Sequence, residues 1–408
     1  MTMKPGERVA IVGCGPVGTV LALALYKNGI PVTIFEQEPG TVKDQRAATL
    51  HLTTVEFLDD LGVFEDFIDL GMKAPLYQFG DRQTGKAVAE FDHGVLADEV
   101  RFPYAFQYEQ YKLVDSIVAH IGDTTDVEYR FSCKVTGVDQ TAAAARVTFE
   151  NQDGETESMD CVYVVACDGA RSTVRDLAGI EFEGFTWPER FVKIATTFDF
   201  YAAERGYCTR NFLSDPDEWC NLFHVPGENG ERIWRTVFPV KTGETDEYVL
   251  SEEGVQARLQ RFFPKEGEYP IAYKGLYPVH QRVAKSFNAG RVLLAGDASH
   301  ANNPIGGLGM NGGIHDAVNL AGKLHAILNK DEDTALLDRY SRQRRKAQID
   351  GVQAQSMANK KLMEAREPKE RARQLDEIRH TAEDLELHKA YLRKSSMILG
   401  LQAAESVQ

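Results

Sequence analysis

The stretch RVAIVGCGPVG, residues 8–18, decides the fold. Its apolar run Val9, Ala10, Ile11, Val12 reads as a strand buried on both faces, breaking into glycines at 13, 15 and 18. Residues 17–27, VGTVLALALYK, follow as an apolar helix stopped by Asn28 and Gly29. A second strand, residues 31–35, ends on Glu36. The order is β-α-β, the context that gives a GxGxxG spacing its meaning. Gly13 permits a tight turn, Gly15 lets the backbone approach a pyrophosphate, and Gly18 lets helix and strand pack closely. The helix N-terminus adds unpaired N–H groups and positive dipole for the phosphates. Glu36 lies 18 residues past Gly18, where a carboxylate accepts hydrogen bonds from ribose hydroxyls and repels a 2′-phosphate. The expected ligand is a dinucleotide.

Two further signals separate FAD from NAD. Residues 291–300, RVLLAGDASH, deliver Asp297 from a buried strand, and residues 303–317, NPIGGLGMNGGIHDA, form a glycine-rich turn that feeds a helix. FAD needs such an element: a carboxylate for the ribitol hydroxyls and backbone N–H groups for the pyrimidine edge of the flavin. Residues 167–175, CDGARSTVR, again follow a strand.

In this order the three motifs resemble the flavoprotein monooxygenases of the p-hydroxybenzoate hydroxylase family, over residues from about 8 to about 330. The tail, with MEAREP at 363–368 and SSMI at 395–398, is similar to the branch acting on phenols and hydroxyphenyl-propionates. The resemblance implies that Gly13, Gly15, Gly18 and Glu36 bind the ADP half of FAD, with Arg46 near the pyrophosphate and Gln110 near the ribitol. It implies Val135 along the adenine, Asp168 in a motif shared by FAD and reduced nicotinamide, Asp297 on the ribitol, and Gly309, Met310 and Asn311 along the flavin. Leu308 stands where many relatives carry Gln or Lys, so a polar role there is absent. The implied reaction is hydroxylation of an electron-rich aromatic ring through a flavin hydroperoxide, with O2 and with NADH or NADPH as transient donor. No second GxGxxG marks a separate nicotinamide domain.

The fold expected is α/β: a Rossmann-type (GR2-like) FAD-binding domain with an inserted antiparallel β-sheet substrate domain and a helical C-terminal region. Residues 1–184 and 286–334 form the two parts of the FAD-binding domain, 185–285 the β-rich insert and 335–408 the helical region. Helices are expected over 53–69 and 110–121, and a buried strand over 161–167. The charged tail reads first as a solvated face packed on its own domain and second as a partner or homodimer surface. The net charge of −15 argues against nucleic-acid binding, and no window of about 18 apolar residues suggests a membrane span. No apolar leader precedes the first strand, and the six cysteines lack CxxC or zinc-ligand spacing, as expected of reduced thiols in the cytoplasm.

Pro304 matches the family's proline beside the reacting ring. The base that deprotonates the substrate is sought among the histidines. His51, beside the Arg46 segment, and His224, in the aromatic-rich insert, are the candidates, while His300 and the remaining histidines read as structural or surface. Arg210 and Arg235 read first as solvated and second as partners for a substrate carboxylate. A halogenase would need a GWxWxIP motif, which Trp187, Trp219 and Trp234 are too far apart to form. A reductase of the same fold and a non-catalytic flavoprotein remain as alternatives.

Overall fold

The structure, a computed structural model, describes residues 6–43, 47–203 and 206–408. Val9–Val12 is the centre of a six-stranded sheet, hydrogen-bonded in parallel to Val32–Phe35 on one side and Tyr163–Ala166 on the other. Val127–Arg130 lies beyond the first of these, and Val292–Leu294 then Asn288–Ala289 beyond the second. Only the Asn288–Ala289 edge runs antiparallel. Every residue of the three central strands is buried, which is why they read as unbroken apolar runs.

Pro16–Lys27 opens with proline in its first turn and ends at Asn28, with Gly29 at φ +69°. The same face of the sheet carries the 22-residue helix Gly309–Lys330. Four neighbouring parallel strands therefore end in a row, delivering Glu36, Gly13, Asp168 and Asp297 to one edge. Ligands bind at that carboxyl edge in open α/β sheets.

Two long strands, Phe182–Thr196 and Ile271–Ala284, lead out to an eight-stranded sheet. Arg232–Pro239, Cys220–Pro226 and Arg210–Ser214 continue it. Leu76–Asp81 then pairs in parallel with Arg210–Ser214, and Lys86–Asp92 closes the edge. The sequence reading assigns no element to 76–92, so this sheet draws strands from both sides of the chain's insert.

Two expected elements are corrected. The helix expected over 53–69 is Leu52–Asp60 followed by a short turn at Phe64–Asp66, because Gly62 adopts φ +72° and ends it. The single strand expected over 161–167 divides at Val162: Cys161 ends a strand of a separate three-stranded meander, and Tyr163–Ala166 joins the parallel sheet. The tail is helical, and Pro368 opens the helix Pro368–Glu383 behind a Glu367 cap. Among the described residues no helix is long and apolar enough to cross a membrane.

Candidate active site

A groove of ≈ 730 Å³ runs along the carboxyl edge of the parallel sheet, lined by Gly13, Gly15, Glu36, Gln110, Val135, Asp168, Asp297, Pro304, Gly309 and Met310. The glycines divide the work as their surroundings dictate. A Cβ on Gly13 would sit 2.5 Å from the Cys167 carbonyl, at φ +104°, so the turn admits only glycine. A Cβ on Gly18 would lie 2.1 Å from the Gly13 carbonyl, inside the packed core. A Cβ on Gly15 meets nothing within 4 Å, because that face opens on the groove. Gly15 also caps the helix without any side-chain hydrogen bond, leaving the first-turn N–H groups to a ligand.

The Glu36 carboxylate accepts N–H groups from Cys14 at 2.9 Å and Glu38 at 3.1 Å, which holds it beside the glycine turn. Asp168 accepts the Val174 N–H through Oδ2 at 3.2 Å, while its buried Oδ1 has no partner. Burial pushes the Asp168 carboxyl up from its ordinary range. Asp297 follows Gly296, whose N–H is held by Asp316 Oδ2 at 3.1 Å. Gln110 stands at a helix start and receives the Ala47 N–H at 3.4 Å. Arg46 lies outside the described residues. An open glycine face, uncapped helix starts and an orphaned carboxylate oxygen at Asp168 all suit a dinucleotide flavin.

Asn311 is fully buried and works as a strut rather than a groove wall. It accepts the His51 N–H at 2.8 Å and donates to the carbonyls of Thr49 at 2.9 Å and Gly307 at 2.7 Å. This ties the segment after Arg46 to the glycine-rich turn. Pro304 is exposed, and its carbonyl accepts the Gly307 N–H at 3.0 Å.

Beyond Leu308, which lines both spaces, lies a small chamber of ≈ 20 Å³. Room of that size holds about one water. Its walls are His51, Tyr77, Phe79, His93, Arg210, Phe212, Gly306, Gln355, Asn359, Tyr391, Ser395 and Ser396. His51 approaches the Gly306 carbonyl through Nε2 at 3.1 Å, a contact that places the ring proton on Nε2. Nδ1 is then a lone-pair acceptor, buried and without a partner. Burial, aided by the Arg210 charge, pushes this imidazole down to about 3, so it is neutral near pH 7. His93 is likewise pushed down to about 4 by burial and Arg210, and its Nδ1 lies 2.7 Å from the Pro75 carbonyl.

The structure does not bring His224 to either space. It stacks on Trp234 with ring centroids 4.7 Å apart and hydrogen-bonds the Tyr201 hydroxyl at 3.1 Å, a packed position that corrects its nomination as base. His300 lies 2.7 Å from Asp316, a structural position. The solvated reading of Arg210 and Arg235 also fails, since each is only 3% exposed. The sequence reading passes over Tyr77 and Tyr391 and takes His93 as structural or surface, whereas all three line the chamber. They converge from 76–81, a short turn after 92 and the helix Leu385–Ser395, and no local spacing joins segments so far apart.

A family described as the FAD binding domain matches residues 7–355. The chain is 35% identical over 381 residues to the para-nitrophenol 4-monooxygenase of Pseudomonas sp. (strain WBC-3), covering 91% of each chain. It is 30% identical to the 6-hydroxy-3-succinoylpyridine 3-monooxygenase of Pseudomonas putida (strain DSM 28022 / S16), covering 91% of this chain and 92% of that one. The crystal structure of the p-nitrophenol 4-monooxygenase of Pseudomonas putida DLL-E4 superposes with a TM-score of 0.91 at 33% identity, covering 97% and 98% of the two chains. The chain belongs to this family, and it is an FAD-dependent aromatic hydroxylase of the p-hydroxybenzoate hydroxylase-like class.

Proposed function

We propose that this hydroxylase acts in the cytoplasm on a single-ring phenol, held in the FAD groove beside Leu308 with its ring oxygen directed at the chamber beyond, which has room for one water-sized group. The observation that supports this is the junction itself: an aromatic-walled chamber and the FAD groove share Leu308 as a wall, with Gly306 lining the one and Gly307 the other. FAD supplies the redox chemistry that activates O2 with electrons from NADH or NADPH. Gly13, Gly15 and Glu36 would hold its adenosine diphosphate half, with Gly18 packing the helix behind them and Val135 alongside. Asp168, Gln110 and Asp297 serve the linker. Gly309 and Met310 would present the uncapped helix start to the flavin, where backbone N–H donors and the helix dipole would favour negative charge. Asn311 fixes the turn.

His51, in the chamber wall, is the acceptor for the ring hydroxyl, because its tautomer leaves the buried Nδ1 without a partner. The apolar walls Tyr77, Phe79 and Phe212 keep water from the reacting atoms. Pro304 sits at the groove side, with one carbonyl lone pair already engaged by Gly307.

The test is NADH and NADPH oxidation by the FAD-loaded protein across single-ring phenols, hydroxybenzoates, hydroxyphenyl-propionates and hydroxypyridines, with hydroxylated product and hydrogen peroxide measured together. A para-substituted phenol that accelerates oxidation and yields near-stoichiometric hydroxylated product is expected. Stimulation confined to multi-ring compounds would refute a single-ring site beside Leu308.

A further inference from the structure

Arg210 departs from the way this chain buries its other arginines. Arg258 pairs with Glu218 at 3.0 Å and Glu244 at 2.6 Å, Arg344 with Asp316 at 2.6 Å, and Arg371 with Asp81 at 2.6 Å. Arg210 is just as inaccessible, yet no carboxylate among the described residues lies within ion-pair distance of it. Its Nε and Nη1 have no hydrogen-bond partner, and its guanidinium rests 5.2 Å from the centre of the Tyr77 ring. A guanidinium remains protonated even where burial pulls its pKa down, as it does here.

Among the described residues nothing around Arg210 offers the missing negative charge. From the histidine-bearing turns, His51 and His93 are held neutral. From the strand Leu76–Asp81 and the tail helix, burial pushes the Tyr77 phenol well up and the Tyr391 phenol to about 12. Burial likewise pushes the Cys208 thiol up to about 11, and Glu90, whose charge reaches Cys208, is exposed. The chamber thus carries one uncompensated positive charge at neutral pH. A buried, unpaired charge is strongly unfavourable unless a ligand completes it.

We propose that Arg210 is the counter-ion of the substrate, so that its chamber takes the one anionic oxygen group of a single aromatic ring held in the groove. This rests on the ring lying beside Leu308. Two chemical sources share that description: the ring oxygen bound already ionised, or an acidic substituent on the ring. The guanidinium offers its unpartnered Nε and Nη1 donors, and His51 Nδ1 offers only an acceptor, so an anionic oxygen turns to Arg210 and a protonated hydroxyl to His51.

The experiment measures binding to the FAD-loaded protein through the change in flavin absorbance. The probes are 4-nitrophenol, whose anion is yellow, 4-hydroxybenzoate and uncharged 4-methylphenol. With wild type, 4-nitrophenol is expected to bind in its yellow form even where most of it is protonated in solution, and both anions should bind more tightly than 4-methylphenol. Arg210→Gln should weaken at least one anion by about 10- to 100-fold, the usual weight of a charged hydrogen bond, with Arg210→Lys recovering part of it. The affinity for 4-methylphenol should stay within about 2-fold. Loss confined to 4-nitrophenol identifies the ring oxygen as the charge, and loss confined to 4-hydroxybenzoate identifies the substituent. Equal losses for all three probes, or none, overturn the proposal. If Arg210→Gln fails to fold, wild type still decides: colourless bound 4-nitrophenol together with 4-methylphenol binding as tightly as both anions overturns it. Binding and turnover of all three without regard to charge would sink the counter-ion alone. Absence of binding by any of them would sink the ring site beside Leu308 and the counter-ion with it.

Discussion

At the scale of single residues, Gly15 and Gly18 separate a binding role from a packing role. Gly18→Ala drives a methyl to 2.1 Å from a backbone carbonyl, which neither strand nor helix yields to, so loss of soluble protein or a large fall in thermal midpoint is expected. Gly15→Ala meets nothing, so the FAD-free protein should melt within about 1 kcal/mol of wild type while its FAD affinity falls. Equal damage to fold and affinity in both variants would refute the division. His51 is tested through substrate acidity. His51→Ala keeps the backbone N–H that Asn311 holds, so full FAD content is expected. Hydroxylation of weakly acidic phenols should fall by roughly 10- to 100-fold, and acidic phenols should lose less because they reach the chamber ionised. A loss independent of phenol acidity counts against the acceptor role. The glycines and Glu36 were legible because their spacing is local to one β-α-β unit. Arg210 was not, because its meaning lies in the missing carboxylate, and a missing partner leaves no mark in sequence.

At the scale of elements, the helical tail is fastened to the flavin turn through one buried carboxylate. Asp316, in the helix Gly309–Lys330, accepts Gly296 N–H and sits 2.7 Å from His300 through Oδ2. Through Oδ1 it accepts Arg344 Nε at 2.6 Å, from the helix Ala335–Lys346. Burial alone would raise the Asp316 carboxyl, but Arg344 and His300 outweigh it and hold the group ionised. Removing one partner of a buried pair typically costs ~3–5 kcal/mol. Asp316→Asn is therefore expected to lower the thermal midpoint and, by loosening the turn that carries Asp297, to weaken FAD retention. Titration of the FAD-free variant with FAD checks this, and wild-type affinity would dismiss the coupling. The strand-turn-helix at 291–311 was readable as a cofactor element, since its apolar run and glycines are contiguous. Its anchoring by the tail was not, because Arg344 lies in a stretch whose charge pattern is that of a solvated helix. The same holds for Leu76–Asp81: its pairing with Arg210–Ser214 spans the whole of the intervening chain.

At the scale of the molecule, four buried histidines, His51, His93, His224 and His315, are held neutral by burial and set a pH limit on the fold, His51 and His93 among them in the chamber. His51 is 3% exposed and His93 is 1% exposed, and burial with the Arg210 charge pushes them down to about 3 and about 4 from 6.5. Unfolding releases both to their ordinary affinity. Below pH 6.5 the unfolded chain therefore binds protons that the folded chain refuses, and stability falls as pH drops toward 4. Above 6.5 neither state is protonated and the contribution is fully retained. Asp168 acts in the opposite sense, since burial raises its carboxyl and the folded state takes up its proton first. It opposes four histidines with one group, so the histidine slope should prevail. At ~1.4 kcal/mol per pKa unit, His51 and His93 alone forfeit on the order of several kcal/mol by pH 4. The thermal midpoint of the FAD-loaded protein should hold steady from about pH 8 to about pH 6.5 and then decline steeply. His93→Asn removes one of the four groups and should flatten that decline in part relative to its own neutral value. A His93→Asn protein with an unchanged slope would place the acid sensitivity elsewhere in the molecule.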